Sequence, residues 1–147
     1  MVQLSPHFTL EEMLYSDTAQ AQGIDNTPDA QSRSNLARVA QVMEQVRETL
    51  DGFPIYISSG YRCPQLNAAV GGATSSAHLY GLACDFTCPD FGTPEEICKF
   101  LEDVIRVLGI DQLIWEFDTW VHMGLSSGDP RYMALTINDN GTATGFA

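Results

Sequence analysis

His78 and His122 are two of only three histidines in the chain, and Asp85 follows the first of them inside the apolar run Ala83-Cys84-Asp85-Phe86. An isolated carboxylate in such a run is costly to bury, so Asp85 must be paired or liganded if it lies inside. Two imidazoles and one carboxylate form a sound donor set for a catalytic zinc ion, with the fourth position left for water. Each histidine taken singly also fits a plainer role, that of a satisfied structural residue beside a strand. The third, His7, lies in the entry segment and reads as a surface or packing residue.

Glu116 and Asp118 add carboxylates close to His122 in sequence. If the chain ran on as one strand, Glu116, Asp118, Trp120 and His122 would project to the same side. With a tight turn near Phe117–Thr119, Glu116 would instead sit across from His122 on the neighbouring strand. Either arrangement brings a carboxylate within reach of a metal held by His122, as the base of a hydrolytic reaction requires. Asp118 also fits a simple turn residue. Arg62 follows a strand end in a chain with seven basic residues against nineteen acidic ones. Its planar fork suits a carboxylate or a peptide carbonyl, and an ion pair with one of the many acids is the alternative.

The elements that must position these groups are legible in outline. Leu4–Asp17 reads as a short entry helix with Thr9 as N-cap and Glu11 and Glu12 in its first turn. Residues 18–30 read as a loop, broken by Gly23, Asn26 and Pro28. From about Pro28 to Leu50, Leu36, Val39, Ala40, Val42, Met43, Val46 and Leu50 share one helical face. Strands are expected at 53–61 and 81–88, with a short helix at Gln65–Val70 and a Gly71-Gly72 break between them. Thr93-Pro94-Glu95-Glu96 opens a helix to about Leu108. Residues 110–117 and 119–126 form a hairpin, 131–138 a last strand, and the remainder a turn and short tail. The expected class is α+β, a small antiparallel sheet with helices packed on it, in one domain spanning 1–147.

Composition narrows the function. The formal net charge is −12, which repels phosphate-rich partners and disfavours nucleic acid and anionic membrane surfaces while attracting divalent cations. No stretch is apolar enough to insert into a membrane. MVQLSPHFTLEEML lacks a basic segment followed by an apolar core, so no secretory signal is expected and synthesis in the cytoplasm is the default. Cys63, Cys84, Cys88 and Cys98 lack the paired spacing of a structural zinc knuckle, and free thiols are expected, with Cys63–Cys88 or Cys84–Cys98 bridges the alternative in an oxidising compartment.

The stretches SGYRCPQLNAAVGG, SSAHLYGLACDF and DQLIWEFDTWVHMGL, in that order, closely resemble the zinc D-Ala-D-Ala carboxypeptidase and L-alanyl-D-glutamate peptidase family. This metallopeptidase group shares its fold with the Hedgehog signalling domain. The family pattern is SGYR, then S-x-H-x6-D, then an acid shortly before W-x-H. LSPHFTLEEML with GIDNTP is similar to the small phage and prophage branch. The resemblance implies that His78, Asp85 and His122 bind Zn2+. It implies that Glu116 is the general base and then acid, with Asp118 the alternative, and that Arg62 and Ser76 bind substrate. The implied substrates are peptidoglycan stem peptides, cut at a D-Ala-D-Ala or L-Ala-D-Glu bond; a monomer is the default expectation. The implied place of action is the bacterial wall, reached as a phage lysin released through a holin or carried in a virion. A non-catalytic zinc-containing wall-binding or phage structural module is the rival implied by the same fold.

Overall fold

Proline at position 6 is the first local signal to overrule the expected entry helix. It breaks the run after Leu4, so the helix starts only where a cap allows. In the computed structural model, which describes residues 1–146, Gln3–Ser5 (β1) and Phe8–Thr9 (β2) pair as a two-stranded antiparallel ribbon. Ala147, the end of the expected tail, lies outside the described residues. Thr9 and Glu12 close a reciprocal capping box that opens α1, Leu10–Leu14. The expected loop after it also holds a helix, α2 (Asp17–Gln22), capped by Ser16. Six residues are too few to show a helical period, and the breakers Gly23, Asn26 and Pro28 all lie beyond its end.

The long apolar stripe forms α3, Ala30–Thr49, with Asp29 accepting from Ser32 N as its cap. Leu36, Val39, Ala40, Met43, Val46 and Leu50 are buried, and Val42 sits at the edge of the stripe. Strand β3 (Tyr56–Ser59) leads through a loop to α4, Pro64–Ala69, which is capped by the Cys63 thiol accepting from Leu66 N at 3.4 Å. A 3-10 turn at Ala77–Tyr80 precedes β4, Ala83–Thr87. A second capping box, Thr93 with Glu96, opens α5 (Pro94–Leu101). The expected single helix to Leu108 is interrupted by a 3-10 turn at Glu102–Val104 before α6, Ile105–Leu108.

Strands β5 (Gln112–Glu116), β6 (Trp120–Gly124), β7 (Met133–Asn138) and β8 (Gly141–Thr144) complete a sheet ordered β3-β4-β6-β5-β7-β8. Two features differ from expectation. The tail carries β8, paired with β7, and β7 runs parallel to β5. The parallel pair follows from where β6 ends. Gly124 pairs with Gln112, so the chain leaves β6 beside the start of β5 and re-enters along its free edge. Asp111 anchors that re-entry: its carboxylate accepts from Arg131 N at 2.8 Å and from the guanidinium Nη2 at 2.7 Å.

Alternation along the central strands divides the sheet into two faces. Cys84, Phe86, Leu113, Val121 and Met123 join a hydrophobic core with α3 and α5 residues such as Leu36, Met43, Ile97 and Leu101. The other face carries Asp85, Ile114, Glu116, Trp120 and His122, all lining a cleft. No helix of the described residues is long and apolar enough to cross a membrane.

Candidate metal centre

The register of β4 against β6 places Asp85 directly opposite His122. Asp85 Oδ1 lies 3.0 Å from His122 Nδ1 and 3.2 Å from His78 Nε2. The three residues are buried, and one donor atom from each falls within 4.8 Å of the others. The two imidazoles meet edge to face, with centroids 5.1 Å apart.

The third member, His78, comes from the 3-10 turn, and its ring is oriented from outside the sheet. Its Nδ1 donates to the Gly60 carbonyl at 2.6 Å. Because a carbonyl only accepts, the neutral ring carries its lone pair on Nε2, facing the Asp85 carboxylate. Two lone-pair-bearing atoms at that separation repel unless a proton or a metal ion lies between them. The donor set therefore fits a metal ion, held by His78 Nε2, an Asp85 oxygen and His122 Nδ1.

Gly60 can offer that carbonyl only because it lacks a side chain. A Cβ there would fall 2.3 Å from the Met13 carbonyl oxygen, and Tyr61 N donates to the same oxygen at 2.8 Å. Asn26 clips the following residues in place. Its amide donates to Leu14 O and Tyr61 O, each at 2.9 Å, and its Oδ1 accepts from Cys63 N at 2.8 Å. From the sequence Asn26 reads as a loop breaker inside the GIDNTP stretch, and nothing local assigns its role, since its partners lie twelve to thirty-seven positions away. Gly124 plays a similar part for His122: a Cβ there would sit 3.1 Å from Nε2 of the ring.

Glu116 is opposite Trp120, two pairs along from the Ile114–His122 pair, and not directly across from His122 as one expected arrangement had it. It still reaches the site diagonally, with Oε1 3.8 Å from His122 Nδ1. Burial pushes its carboxyl pKa up, reinforced by the Asp85 charge and only partly offset by His122, Trp120 and Arg62. Asp85 shows the opposite balance. Burial alone would raise it, but His78 and His122 on either side hold it well below the usual carboxylate range. Asp118 does not face the cleft. Its carboxylate accepts from the Trp115 indole at 3.0 Å, on the other side of the hairpin.

Arg62 lines the cleft and donates from Nη2 to Ser76 Oγ at 3.3 Å. Ser76 also accepts from His78 N at 3.2 Å, so it links the arginine to the turn that carries a metal donor. Arg62 makes no ion pair among the described residues, and its Nε is buried without a partner. Burial draws the guanidinium pKa down, against Asp85 and Glu116. The Trp120 indole N–H, also in the cleft wall, satisfies no hydrogen bond by strict geometry, although it lies close enough to Glu116 to favour the ionised carboxyl. Arg62 Nε is thus the donor in this wall left without any partner. The cleft measures about 1080 Å³ and extends past the donors to Tyr15 at one side and Phe117 at another.

The cysteines stand apart from this chemistry. All four are free and buried. Burial pushes the Cys84 thiol up and Cys98 up to about 12, which keeps them from acting as thiolate ligands.

A buried His–Asp–His set open to a cleft, with a glutamate and an arginine beside it, is the arrangement of a mononuclear metal-dependent hydrolase. Residues 6–124 match the family model described as Peptidase M15, and the chain belongs to that family. The search of curated proteins returned no match.

Proposed function

We propose that this protein is a zinc-dependent peptidase that hydrolyses peptidoglycan stem peptides at a D-Ala-D-Ala or L-Ala-D-Glu bond. The observation that carries the reading is Glu116 standing 3.8 Å from His122 on the sheet face that also presents Asp85. Two nitrogens and one carboxylate oxygen suit zinc, leaving one position free. When bound there, zinc supplies Lewis-acid polarisation of the scissile carbonyl and makes water a better nucleophile.

The chain's own groups do the rest. Glu116 takes a proton from the attacking water and returns it to the leaving amine. Its raised pKa suits a group that must both accept and give a proton. Arg62, with an unpaired Nε and an Nη2 steadied by Ser76, binds a carbonyl or carboxylate oxygen of the peptide. Monomeric action at the bacterial cell wall, as a phage lysin or from a virion, completes the reading.

The test is to incubate zinc-loaded protein with purified muropeptides and read the products by mass. Loss of a terminal D-Ala, or separation of L-Ala from the rest of the stem, is the expected outcome and identifies the bond. Glu116→Ala should keep zinc and lose about 10²–10⁴-fold in turnover. Full activity in that variant would remove Glu116 from its role. Intact muropeptides after prolonged incubation would instead mark a non-catalytic module.

A further inference from the structure

Among the described residues, four non-glycine positions have left-handed backbone: Asp51, Phe117, Asp118 and Tyr132. Aspartate tolerates this region, but a bulky aromatic residue there is a genuine outlier. Tyr132 has a compensation, since its ring packs on the core and lies under the Arg106 guanidinium at 4.6 Å. Phe117 is less well compensated, its ring meeting Trp120 at 5.8 Å between centroids without reaching the core. With φ at 51° its side chain remains 45% exposed, on the lip of the cleft.

The turn that holds Phe117 is tightly determined. Phe117 N donates to Ile137 O at 2.8 Å, and Thr119 N to Glu116 O at 3.0 Å. Thr119 Oγ1 donates to Phe117 O at 2.9 Å, and the Trp115 indole to Asp118 at 3.0 Å. Consecutive positive φ values closed by the Thr119–Glu116 bond make a mirror-image β-turn of the kind that favours Asn-Gly, inside a three-residue connection between the paired Glu116 and Trp120. If the turn served only to carry Glu116, asparagine or glycine at 117 would serve it with less strain. The ring therefore has a use of its own. It leans on Trp120, with centroids 5.8 Å apart, and the pair forms an apolar edge beside Glu116.

We infer that Phe117 is a substrate-contacting, specificity-determining residue, its strained turn spent on presenting an aromatic face to a flat C–H-rich part of the substrate. The inference rests on the peptidase reading above. The same chemistry is offered by an amino-sugar ring of the glycan and by an aliphatic side chain of the stem peptide.

The decisive variant is Phe117→Asn, because the two roles predict opposite signs. Removing the strain should raise Tm by roughly 2–4 °C. Losing the ring should raise KM by about fivefold with kcat little changed, and Phe117→Tyr should recover most of that loss. Measuring with free stem peptide and with disaccharide-linked muropeptide separates the sources: a KM change on both assigns a peptide side chain, and one confined to the muropeptide assigns the sugar. Titrating the same ligands calorimetrically into zinc-loaded protein makes the inference independent of turnover. Weaker binding by Phe117→Asn supports it even if nothing is cleaved, in which case only the peptidase reading fails. Wild-type KM and affinity in Phe117→Asn on both ligands, or no binding by the wild type at all, would overturn it.

Discussion

The two faces of the central sheet are built from the same strands and differ in almost everything else. Leu113, Val121 and Met123 on one face are fully buried against helices and make ordinary close-packed core. Asp85, Glu116, Trp120 and His122, on the alternate positions, point into a cleft, where three of them are ionisable and the Trp120 indole N–H makes no hydrogen bond by strict geometry. One face gains stability from burial, whereas the other gives some up to keep charged groups close together in a low-dielectric wall. Position along a strand thus says little about role, while parity says nearly all.

Substitution on each face sharpens that contrast. His122→Ala should abolish stoichiometric zinc binding, read by elemental analysis, and with it all hydrolysis. Leu113→Ala, offset by one residue in pairing, should cost about 2–5 kcal/mol in urea unfolding. The folded fraction of that variant should still bind one zinc. If Leu113→Ala lost zinc while remaining folded, the separation of the faces would break down.

Gly124→Ala tests the boundary between them. The added Cβ presses on the His122 ring from 3.1 Å and should weaken zinc affinity by about 10–100-fold with little change in unfolding. Equal affinity would show that the ring has room to shift.

The smallest effect is expected at Asp111, away from the metal donors. Its pKa is lowered chiefly by the hydrogen bond from Arg131, aided by the Arg131 charge. A depressed carboxylate stabilises the fold above its unfolded value of 3.8 and loses that contribution as pH falls through the folded value. Asp111→Asn should therefore flatten the acid end of the stability–pH curve, with the gap to wild type closing below pH 3.8. A gap that persisted there would point to packing and not to the ion pair.

The capped starts at Thr9 and Thr93, the stripe of α3 and the late hairpin could be read locally, because each depends on contacts within a few residues. The ribbon β1–β2, the short α2, the parallel entry of β7 and strand β8 could not, since partners distant in sequence decide them. The same division runs through the site. His78, Asp85, His122, Glu116 and Arg62 stood out by residue type and by ordered motifs, whereas Gly60 and Asn26 lay in the motifs SGYR and GIDNTP with nothing local to say what they hold in place.

Taken alone, the sequence determined which side chains could do the chemistry, because donor atoms and charge are properties of residue type. Only the tertiary structure decided which atoms meet. The β4–β6 register set Asp85 against His122, and the Gly60 carbonyl chose the nitrogen that His78 offers. The hairpin put Glu116 diagonal to His122 and turned Asp118 away. Those outcomes depend on strand pairing and on close approaches between distant segments, which no local pattern encodes.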